Sequence, residues 1–295
     1  MARAISFINY KGGVGKTTLS VNLAATLAHT LNRRVLLLDG DPQSNSSIWM
    51  LRLDRWNKLN TRRADTLVGH FLGERHLADL RHTPFPEIPQ LQVIPATFSL
   101  MDLEQEWVPQ GGLEAVYERF RTEVQSLRRH YDYILFDCPP NVYRVSKCAL
   151  LASDEVFVPA NPDALSLLGL SLVAKKILDL HRNHLAPEEF QRLPYGGTKI
   201  RSLLLNALKS GAAHEGMLAR LALKMRALAE QGVAWEQADL CPHQIRDAVL
   251  LRRLPFRGKP VCLDEKGRRS AVARDFEAMA QFLDALPTSA ARKVA

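Results

Sequence analysis

The stretch Lys11–Thr18, KGGVGKTT, has the residue types and spacing of a loop that binds phosphate groups. Its glycines let backbone N–H groups turn toward one point, and the helix that follows adds its positive dipole end. In such loops the lysine of a Gly-Lys-Thr sequence contacts the outer phosphates and the threonine hydroxyl holds Mg²⁺. The usual pattern would place glycine where Tyr10 stands, and an extra lysine, Lys11, follows it. An apolar run precedes the loop and a helical stretch follows, so the sequence predicts a phosphate site rather than a plain turn.

Two further motifs place carboxylates at the ends of apolar runs. Tyr133–Asp137 is four hydrophobic residues ending in an acid, as in a Walker B strand whose Asp137 holds Mg²⁺ through a water. An ordinary core strand with a capping Asp is the alternative, which the two prolines that follow make less favourable. In LDGDPQ, Asp39 and Asp41 are spaced so that both point alike, and a carboxylate there can position the attacking water. An Asx turn ended by Pro42 is the alternative for either residue taken alone.

Alternating apolar runs and helical segments must position these motifs. This rhythm is typical of a parallel sheet with helices on both faces. We predict an α/β fold of the P-loop NTPase type, with one domain over residues 1–286 and a flexible C-terminal tail over 287–295. The expected strands are Arg3–Asn9, Val35–Leu38, Leu91–Ile94, Tyr133–Phe136, Glu155–Val158 and Ile200–Asn206, and the expected helices are Thr17–Leu31, Leu113–His130, Ser166–His181 and His214–Gln231.

Composition excludes several classes of protein. The chain has 295 residues, of which 46% are hydrophobic and 24% charged, as in a globular protein. No apolar run approaches the roughly 18 residues of a spanning helix, and the N-terminus is unlike a signal peptide, so we expect a cytoplasmic protein. The four cysteines lack the spacing of a disulfide framework or a zinc site, which favours buried thiols.

Positive charge is concentrated late in the chain. The formal net charge is +8, and residues 241–274 contain nine Lys and Arg against three Asp and Glu, or +6. Such a surface favours a polyanionic partner, either DNA or an anionic membrane. A merely solvated face is the alternative. The candidate DNA-binding residues are Arg246, Arg252, Arg253, Arg257, Lys259, Lys266, Arg268 and Arg269.

The motifs, taken in order, resemble those of the ParA/MinD family of P-loop ATPases. The quoted matches are KGGVGKTT, LLLDGDPQSN, YDYILFDCPP and VFVPANPDALSLLGL. The DGDPQ form is closest to the ParA (Soj-like) partition branch, and the resemblance continues through DTLVGHFLGE, LQVIPATFSLMDLE and IRDAVLLRRLPFRGKPV. A lysine ahead of the glycine pair defines the deviant Walker A loop of this family.

The resemblance implies roles for individual residues. Lys11 would reach across a dimer to the phosphates bound by the other subunit, and Lys16 would contact the phosphates of its own. Asn206 falls where family members recognise the adenine, although a strand-end asparagine in a turn is the alternative. The implied catalytic residues are Lys11, Lys16 and Asp41, with Asp41 orienting the water; the metal residues are Thr17, Asp39 and Asp137; the nucleotide residues are Lys11, Gly12, Gly13, Val14, Gly15, Lys16, Thr17, Thr18 and Asn206.

The same resemblance implies a molecular switch. We expect an ATP- and Mg²⁺-dependent homodimer that binds DNA non-specifically and partitions or positions a chromosome, plasmid or other cargo on the nucleoid. A ParB-like partner would stimulate its slow ATP hydrolysis. A MinD-like ATPase acting at a membrane or on a protein assembly is the alternative. It would need a basic amphipathic last helix, but the apolar stripe from Val272 to Leu286 shares its helix with Asp275, Glu277 and Asp284, which favours core packing.

A redox or metabolic enzyme is a third class, which the cysteine positions and the local charge disfavour.

One segment allows two interpretations. Residues 46–63 contain five basic residues and one acid, with Trp49, Leu53 and Trp56 at helical spacing. This pattern favours an amphipathic helix that packs through its tryptophans. The alternative is a dimer or partner surface that senses the nucleotide state.

Overall fold

The computed structural model describes residues 1–105, 112–141, 143–184, 197–208 and 214–287. Its strands are β1 (Arg3–Phe7), β2 (Val35–Asp39), β3 (Leu91–Ile94), β4 (Tyr133–Asp137), β5 (Glu155–Ala160), β6 (Lys199–Leu205) and β7 (Ala234–Leu240). They form one sheet in the order β3-β2-β4-β1-β5-β6-β7. Every neighbouring pair is parallel, which confirms the predicted sheet.

Helices connect the strands. They are α1 (Lys16–His29), α2 (Asn45–Leu51), α3 (Leu53–Thr61), α4 (Leu67–Phe71), α5 (Leu100–Gln105), α6 (Gly112–Leu127), α7 (Arg144–Ala152), α8 (Ala164–His184), α9 (Glu215–Glu230), α10 (Val249–Arg257) and α11 (Ala271–Ala285). Short 3₁₀ turns lie at Arg63–Asp65, Leu77–Leu80 and Gly267–Arg269.

The central strands are buried on both faces, because alternate residues enter two separate hydrophobic clusters. In β2, Leu36 and Leu38 belong to a cluster that includes residues of α6, α7, α8 and α9, whereas Leu37 belongs to one with α1, α2, α10 and α11. The prediction of helices on both faces is therefore confirmed. Such double burial explains the continuous apolar runs in the sequence.

The amphipathic segment 46–63 is not the single helix that its periodicity predicts. Arg52 has φ of +64°, which interrupts the helix and divides the segment into α2 and α3. Trp49 and Trp56 are each 2% exposed and pack as expected. Leu53, which directly follows the break, is 55% exposed and does not join them.

The last helix packs into the core. Val272, Phe276, Met279 and Leu283 of α11 are all buried in the cluster on the α1 face of the sheet. This confirms the core interpretation of the stripe and leaves its apolar face unavailable to lipid. Among the described residues, no helix is both long enough and apolar enough to cross a membrane. The predicted tail lies outside the described residues except for Pro287.

The four cysteines are free and buried, as predicted. Burial raises the pKa of Cys241 and of Cys262 to about 12, so both remain protonated thiols at neutral pH.

Candidate nucleotide-binding site

Strand register brings the predicted motifs to one edge of the sheet. β4 lies between β2 and β1, with Asp137 paired to Asp39 on one side and to Phe7 on the other. The carboxyl ends of parallel strands meet at the same edge, and ligands bind there in open α/β sheets. The phosphate loop therefore begins directly beside two buried carboxylates.

The loop depends on two glycines with positive φ. Gly13 has φ of +74° and Gly15 has φ of +81°, a region that side chains disfavour. Gly15 also leaves no room for a side chain, because a Cβ there would lie 1.8 Å from Nδ2 of Asn206. That amide donates to the Val14 carbonyl at 3.1 Å. The structure thus places Asn206 against the phosphate loop.

Asn9 fixes the start of the loop. Its Oδ1 accepts a hydrogen bond from the Lys11 backbone N–H at 3.0 Å, and its Nδ2 donates to the Pro159 carbonyl at 2.7 Å. Asn9 is fully buried. Its two bonds connect the loop to the neighbouring strand β5, so the loop is positioned by the sheet on which it sits.

Lys16 is a buried cation that forms no ion pair with any carboxylate in the described part of the chain. Its Nζ donates to the Lys11 carbonyl at 3.3 Å, and the residue is only 7% exposed. Burial lowers the pKa of the Lys16 ammonium, while Asp137 and Asp41 act in the opposite direction. The first turn of α1 contains no acidic residue. The field at this helix start is therefore positive and suits a phosphate.

Asp39 and Asp137 share a fully buried region. The Ser47 N–H and hydroxyl donate to Oδ2 of Asp39 at 2.8 and 2.6 Å, and the Ser46 hydroxyl donates to Asp137. Burial, followed by the mutual repulsion of the two carboxylates, raises the pKa of Asp39. Burial also raises the pKa of Asp137, while the hydroxyls of Ser46 and Thr17 act to lower it.

This carboxylate pair fits a divalent cation. Oδ1 of Asp137 is buried and has no hydrogen-bond partner among the described residues, so it is available as a ligand. A cation would also relieve the repulsion between Asp39 and Asp137. No group of three His, Cys, Asp or Glu side chains in the described part of the chain could hold a metal by itself. Mg²⁺ needs none, because it takes one or two carboxylates together with waters and phosphate oxygens.

Asp41 follows Asp39 by two residues and is hydrogen-bonded to it. It is 8% exposed, its N–H donates to Oδ1 of Asp39 at 3.1 Å, and its own Oδ1 accepts from the Gln43 N–H at 2.9 Å. Burial raises the pKa of Asp41, while the Gln43 bond and Lys16 lower it. The turn that follows Asp39 therefore holds a second carboxylate within the field of Lys16.

Lys11 has surroundings quite different from those of Lys16. Its ammonium forms an ion pair with Asp163, which precedes α8, and its side chain is 20% exposed. The two lysines of the loop therefore have separate partners. Asp163 also caps α8, because its Oδ1 accepts from the Ser166 N–H at 3.0 Å.

Four polar residues of the site escaped sequence reasoning. They are Asn9, Ser46, Ser47 and Asp163, and each acts through a contact distant in the chain. Asp163 lies within one of the quoted motifs, but nothing in the local pattern shows that it meets Lys11. Ser46 and Ser47 begin a segment whose visible pattern consists of its tryptophans and arginines.

The candidate DNA-binding residues lie before, on and after α10, and three of them already have carboxylate partners. Arg246 pairs with Asp275, Arg252 with Asp247 and Arg257 with Asp264, at 2.7, 3.1 and 2.8 Å. The others form no ion pair within the described ranges; they are Arg253, Lys259, Lys266, Arg268 and Arg269. Those five retain the greater part of the free positive charge.

A parallel sheet, a glycine loop at a helix start and paired carboxylates beside it define a P-loop nucleoside triphosphatase. A family model described as an AAA domain matches residues 2–188. The chain is 33% identical to the chromosome partitioning protein ParA of Myxococcus xanthus (strain DK1622) over 301 residues, covering 100% of this chain and 93% of that one. It is 36% identical to the sporulation initiation inhibitor protein Soj of Bacillus subtilis (strain 168) over 188 residues, covering 62% and 68%.

A solved structure gives the same fold. A variant of Cyanothece McdA in complex with ATP superposes with a TM-score of 0.70 at 18% identity, covering 97% of this chain and 98% of that one. The chain belongs to the ParA/MinD family of P-loop ATPases. The predictions of family, fold class and ATPase activity are confirmed.

Proposed function

We propose that this ATPase is an ATP-dependent dimerising switch that binds DNA non-specifically and partitions or positions a chromosome, plasmid or other cargo. The observation that carries the proposal is the separation of Lys11 from Lys16. Lys16 stays inside its own loop, while Lys11 forms its ion pair with Asp163. A lysine in that position is available to a second nucleotide, so the arrangement favours a pair of subunits.

Within one subunit, the site residues divide the work. Lys16 and the backbone N–H groups of the loop bind the outer phosphates, and Thr18 contacts the α-phosphate. Thr17 and Asp137 would hold Mg²⁺, with Asp39 supporting them, and the bound ion would neutralise charge that develops on the phosphates. Asp41 orients the attacking water, since its carboxylate follows Asp39 and interacts with Lys16 beside the phosphate loop. Asn206 donates a hydrogen bond to the Val14 carbonyl of the loop and is proposed to contact the adenine.

The dimer surface is proposed to lie around Lys11 and the start of α8. Leu165, Leu168 and Leu172 of α8 are 60%, 58% and 44% exposed, at helical spacing directly after Asp163. Exposed leucines grouped in this way mark a contact surface rather than ordinary scatter. Their continuity with the Lys11 ion pair supports a second copy of this chain as the partner.

The basic residues late in the chain support DNA as the polyanion. Backbone phosphate contacts by arginine and lysine bind any sequence and release counterions. Two subunits double that surface, so DNA affinity depends on ATP through multivalency. Hydrolysis then removes contacts to the terminal phosphate and releases both the partner subunit and the DNA. We place the protein in the cytoplasm on the nucleoid, with a ParB-like partner that sets the timing of hydrolysis.

Three variants of the full chain test this scheme. Lys16→Ala should abolish nucleotide binding, and Lys11→Ala should bind ATP without dimerising. Asp41→Ala should remain as an ATP dimer on DNA. Nucleotide binding, sedimentation with ATP and DNA binding by fluorescence anisotropy measure the three steps. If Lys11→Ala dimerises and hydrolyses ATP normally, the proposed role of this lysine is wrong.

The DNA proposal has its own measurement. If about four to six phosphates are neutralised, the logarithm of affinity should fall against the logarithm of salt concentration with a slope of roughly −4 to −5. A slope near zero would contradict DNA binding. Binding to anionic vesicles instead would support the MinD-like alternative.

A further inference from the structure

α2 connects the buried carboxylates to a basic surface on the outside of the molecule. At its start, Ser46 donates to Asp137 and Ser47 donates twice to Asp39. The Ser47 hydroxyl in turn accepts from the Ala96 N–H at 2.9 Å. The first turn of α2 is therefore fixed to the two residues that would support the metal.

The other end of α2 contacts the turn after α10. Trp49 Nε1 donates to the Lys259 carbonyl at 3.0 Å. Arg52 lies directly over Gly258, because a Cβ at that glycine would be 2.9 Å from Cγ of Arg52. Gly258 itself has φ of +60°. The turn that carries Lys259 thus rests on the end of a helix whose beginning is bonded to the nucleotide site.

Both ends of α2 have unusual backbone conformations. Ser44 and Arg52, the residues that flank the helix, have φ of +56° and +64°. Such conformations are sparsely populated for non-glycine residues and persist only where surrounding contacts determine them. A seven-residue helix bounded in this way can change position as a unit if those contacts change.

Three basic side chains line one groove at this junction. Arg52 lies between α2 and α3, Arg55 lies on α3, and Lys259 lies in the turn after α10. None of the three forms an ion pair with any described carboxylate, although the Arg55 guanidinium donates to the Thr83 carbonyl at 3.1 Å. Asp54 and Glu87 also line the groove, so its charged side chains sum to +1 from three cations and two anions.

We propose that Arg52, Arg55 and Lys259 bind the phosphate backbone of DNA, and that α2 makes this surface respond to the nucleotide state. The inference rests on the proposed function and adds the segment 46–63 to its DNA-binding surface. A DNA strand is narrow enough for its phosphate backbone to enter a concave groove. A flat bilayer surface would contact only the edge of the groove.

A charge-matched pair of double variants tests the surface. Arg52→Gln with Arg55→Gln removes two charges from the groove. Arg220→Gln with Arg226→Gln removes two from exposed positions on α9, at the far edge of the sheet. Binding to a labelled DNA duplex with ATP is measured by anisotropy over a series of salt concentrations. Equal thermal unfolding midpoints establish that both variants are folded.

The groove variant should bind DNA about tenfold more weakly, and its salt slope should be less steep by about two, one for each phosphate that is no longer neutralised. The α9 variant should stay within about twofold of the wild type. Equal effects in the two variants overturn the inference and leave the proposed function intact. A wild-type protein that does not bind DNA overturns the proposed function itself. Binding of the groove to anionic vesicles in place of DNA overturns the choice of DNA.

Trp49→Phe tests the coupling through α2, because it removes the N–H donor to Lys259 and keeps an aromatic ring. The ratio of DNA affinities with ATP and with ADP should fall toward one. Under saturating ATP analogue, dimerisation should remain at the wild-type level, so the change cannot come from loss of the dimer. An unchanged ratio in the folded variant overturns the coupling.

Discussion

The two lysines of the phosphate loop are five residues apart in sequence but experience different environments. Lys16 is buried and interacts with the carboxylates of Asp137 and Asp41 without forming an ion pair. Lys11 is paired with Asp163, and both of these side chains are partly exposed to water. An ion pair of that kind contributes only about 0–1 kcal/mol. It can therefore be exchanged for phosphate contacts at little cost, which suits the proposed role of Lys11 in a dimer.

The Asp163→Asn variant tests that exchange. Losing the carboxylate should release Lys11, while the asparagine Oδ1 can still accept the Ser166 N–H that caps α8. We expect the dissociation constant of the ATP-bound dimer to decrease by up to about fivefold, corresponding to at most about 1 kcal/mol. Sedimentation with an ATP analogue measures it. Asp65→Asn, which removes an exposed ion pair with Arg75, is the control. A weaker dimer in Asp163→Asn would contradict the idea that losing this carboxylate frees Lys11 for the dimer.

Gly15 offers a second test at the scale of single residues. In Gly15→Ala the new methyl group would lie 1.8 Å from the Asn206 amide nitrogen. The alanine backbone would also have to adopt φ of +81°, so the loop cannot keep its shape. We expect loss of ATP binding and a lower unfolding midpoint. Adding Asn206→Ala should restore part of the midpoint by removing the clash, although not the backbone strain. Titration with a fluorescent ATP analogue and thermal unfolding measure both; normal ATP binding by Gly15→Ala would be contrary to this account.

At the scale of elements, the sequence predicted the buried strands, because burial on both faces gives them a regular apolar pattern. Strands β1 to β6 agree with their predicted ranges to within two residues, because each is buried on both faces and reads as an apolar run. β7 was missed, since its half-exposed, polar sequence AWEQADL lacks that signal. The break at Arg52 was missed because a positive φ at an arginine leaves no trace in hydrophobic periodicity.

The same limit applies to the site. The loop, Asp39, Asp41 and Asp137 could be predicted because each lies at or directly after the end of a strand, and the ends of parallel strands converge. The bonds from Ser46 and Ser47 could not, since they depend on how α2 packs against the sheet.

A buried ion pair between elements supports this arrangement. The guanidinium of Arg128, just after α6, donates to both carboxylate oxygens of Asp154 at 2.7 and 2.8 Å, and to the Ala152 carbonyl at 3.0 Å. Asp154 also accepts from the Ala4 N–H of β1 at 3.0 Å. The pair thus connects a covering helix to the strands β1 and β5.

Arg128→Met should lower the free energy of unfolding by about 3–5 kcal/mol, because it leaves the Asp154 carboxylate buried without its partner. Arg128→Met combined with Asp154→Asn should recover part of that loss, since no unpaired charge remains. Denaturant unfolding measures both, and Arg129→Met, at the exposed neighbouring position, is the control. A single variant as stable as the wild type would show that the pair contributes no net stability.

At the scale of the whole molecule, the nucleotide site connects to two outer surfaces. Lys11 and the α8 leucines lie on one, and the basic residues on and around α10 lie on the other. Both depend on the same loop and carboxylates, the first through Asp163 and the second through α2. Under the proposed function, a change at the nucleotide would alter self-association and DNA affinity together, and multivalency would make the DNA affinity depend on self-association.

Removing the leucine surface should separate these effects. Leu165→Ser with Leu168→Ser should raise the dissociation constant of the ATP dimer by at least about tenfold, given roughly 1.5–3 kcal/mol for each leucine fully buried. DNA affinity with ATP should fall with it, while nucleotide binding by the monomer stays unchanged because neither leucine lies in the loop. Leu223→Ser, at a 63% exposed position on α9, controls for the loss of surface apolarity. Sedimentation and anisotropy on the same samples measure both quantities. A weakened dimer that still binds DNA with wild-type, ATP-dependent affinity would mean that one subunit suffices, and that multivalency does not set the DNA affinity.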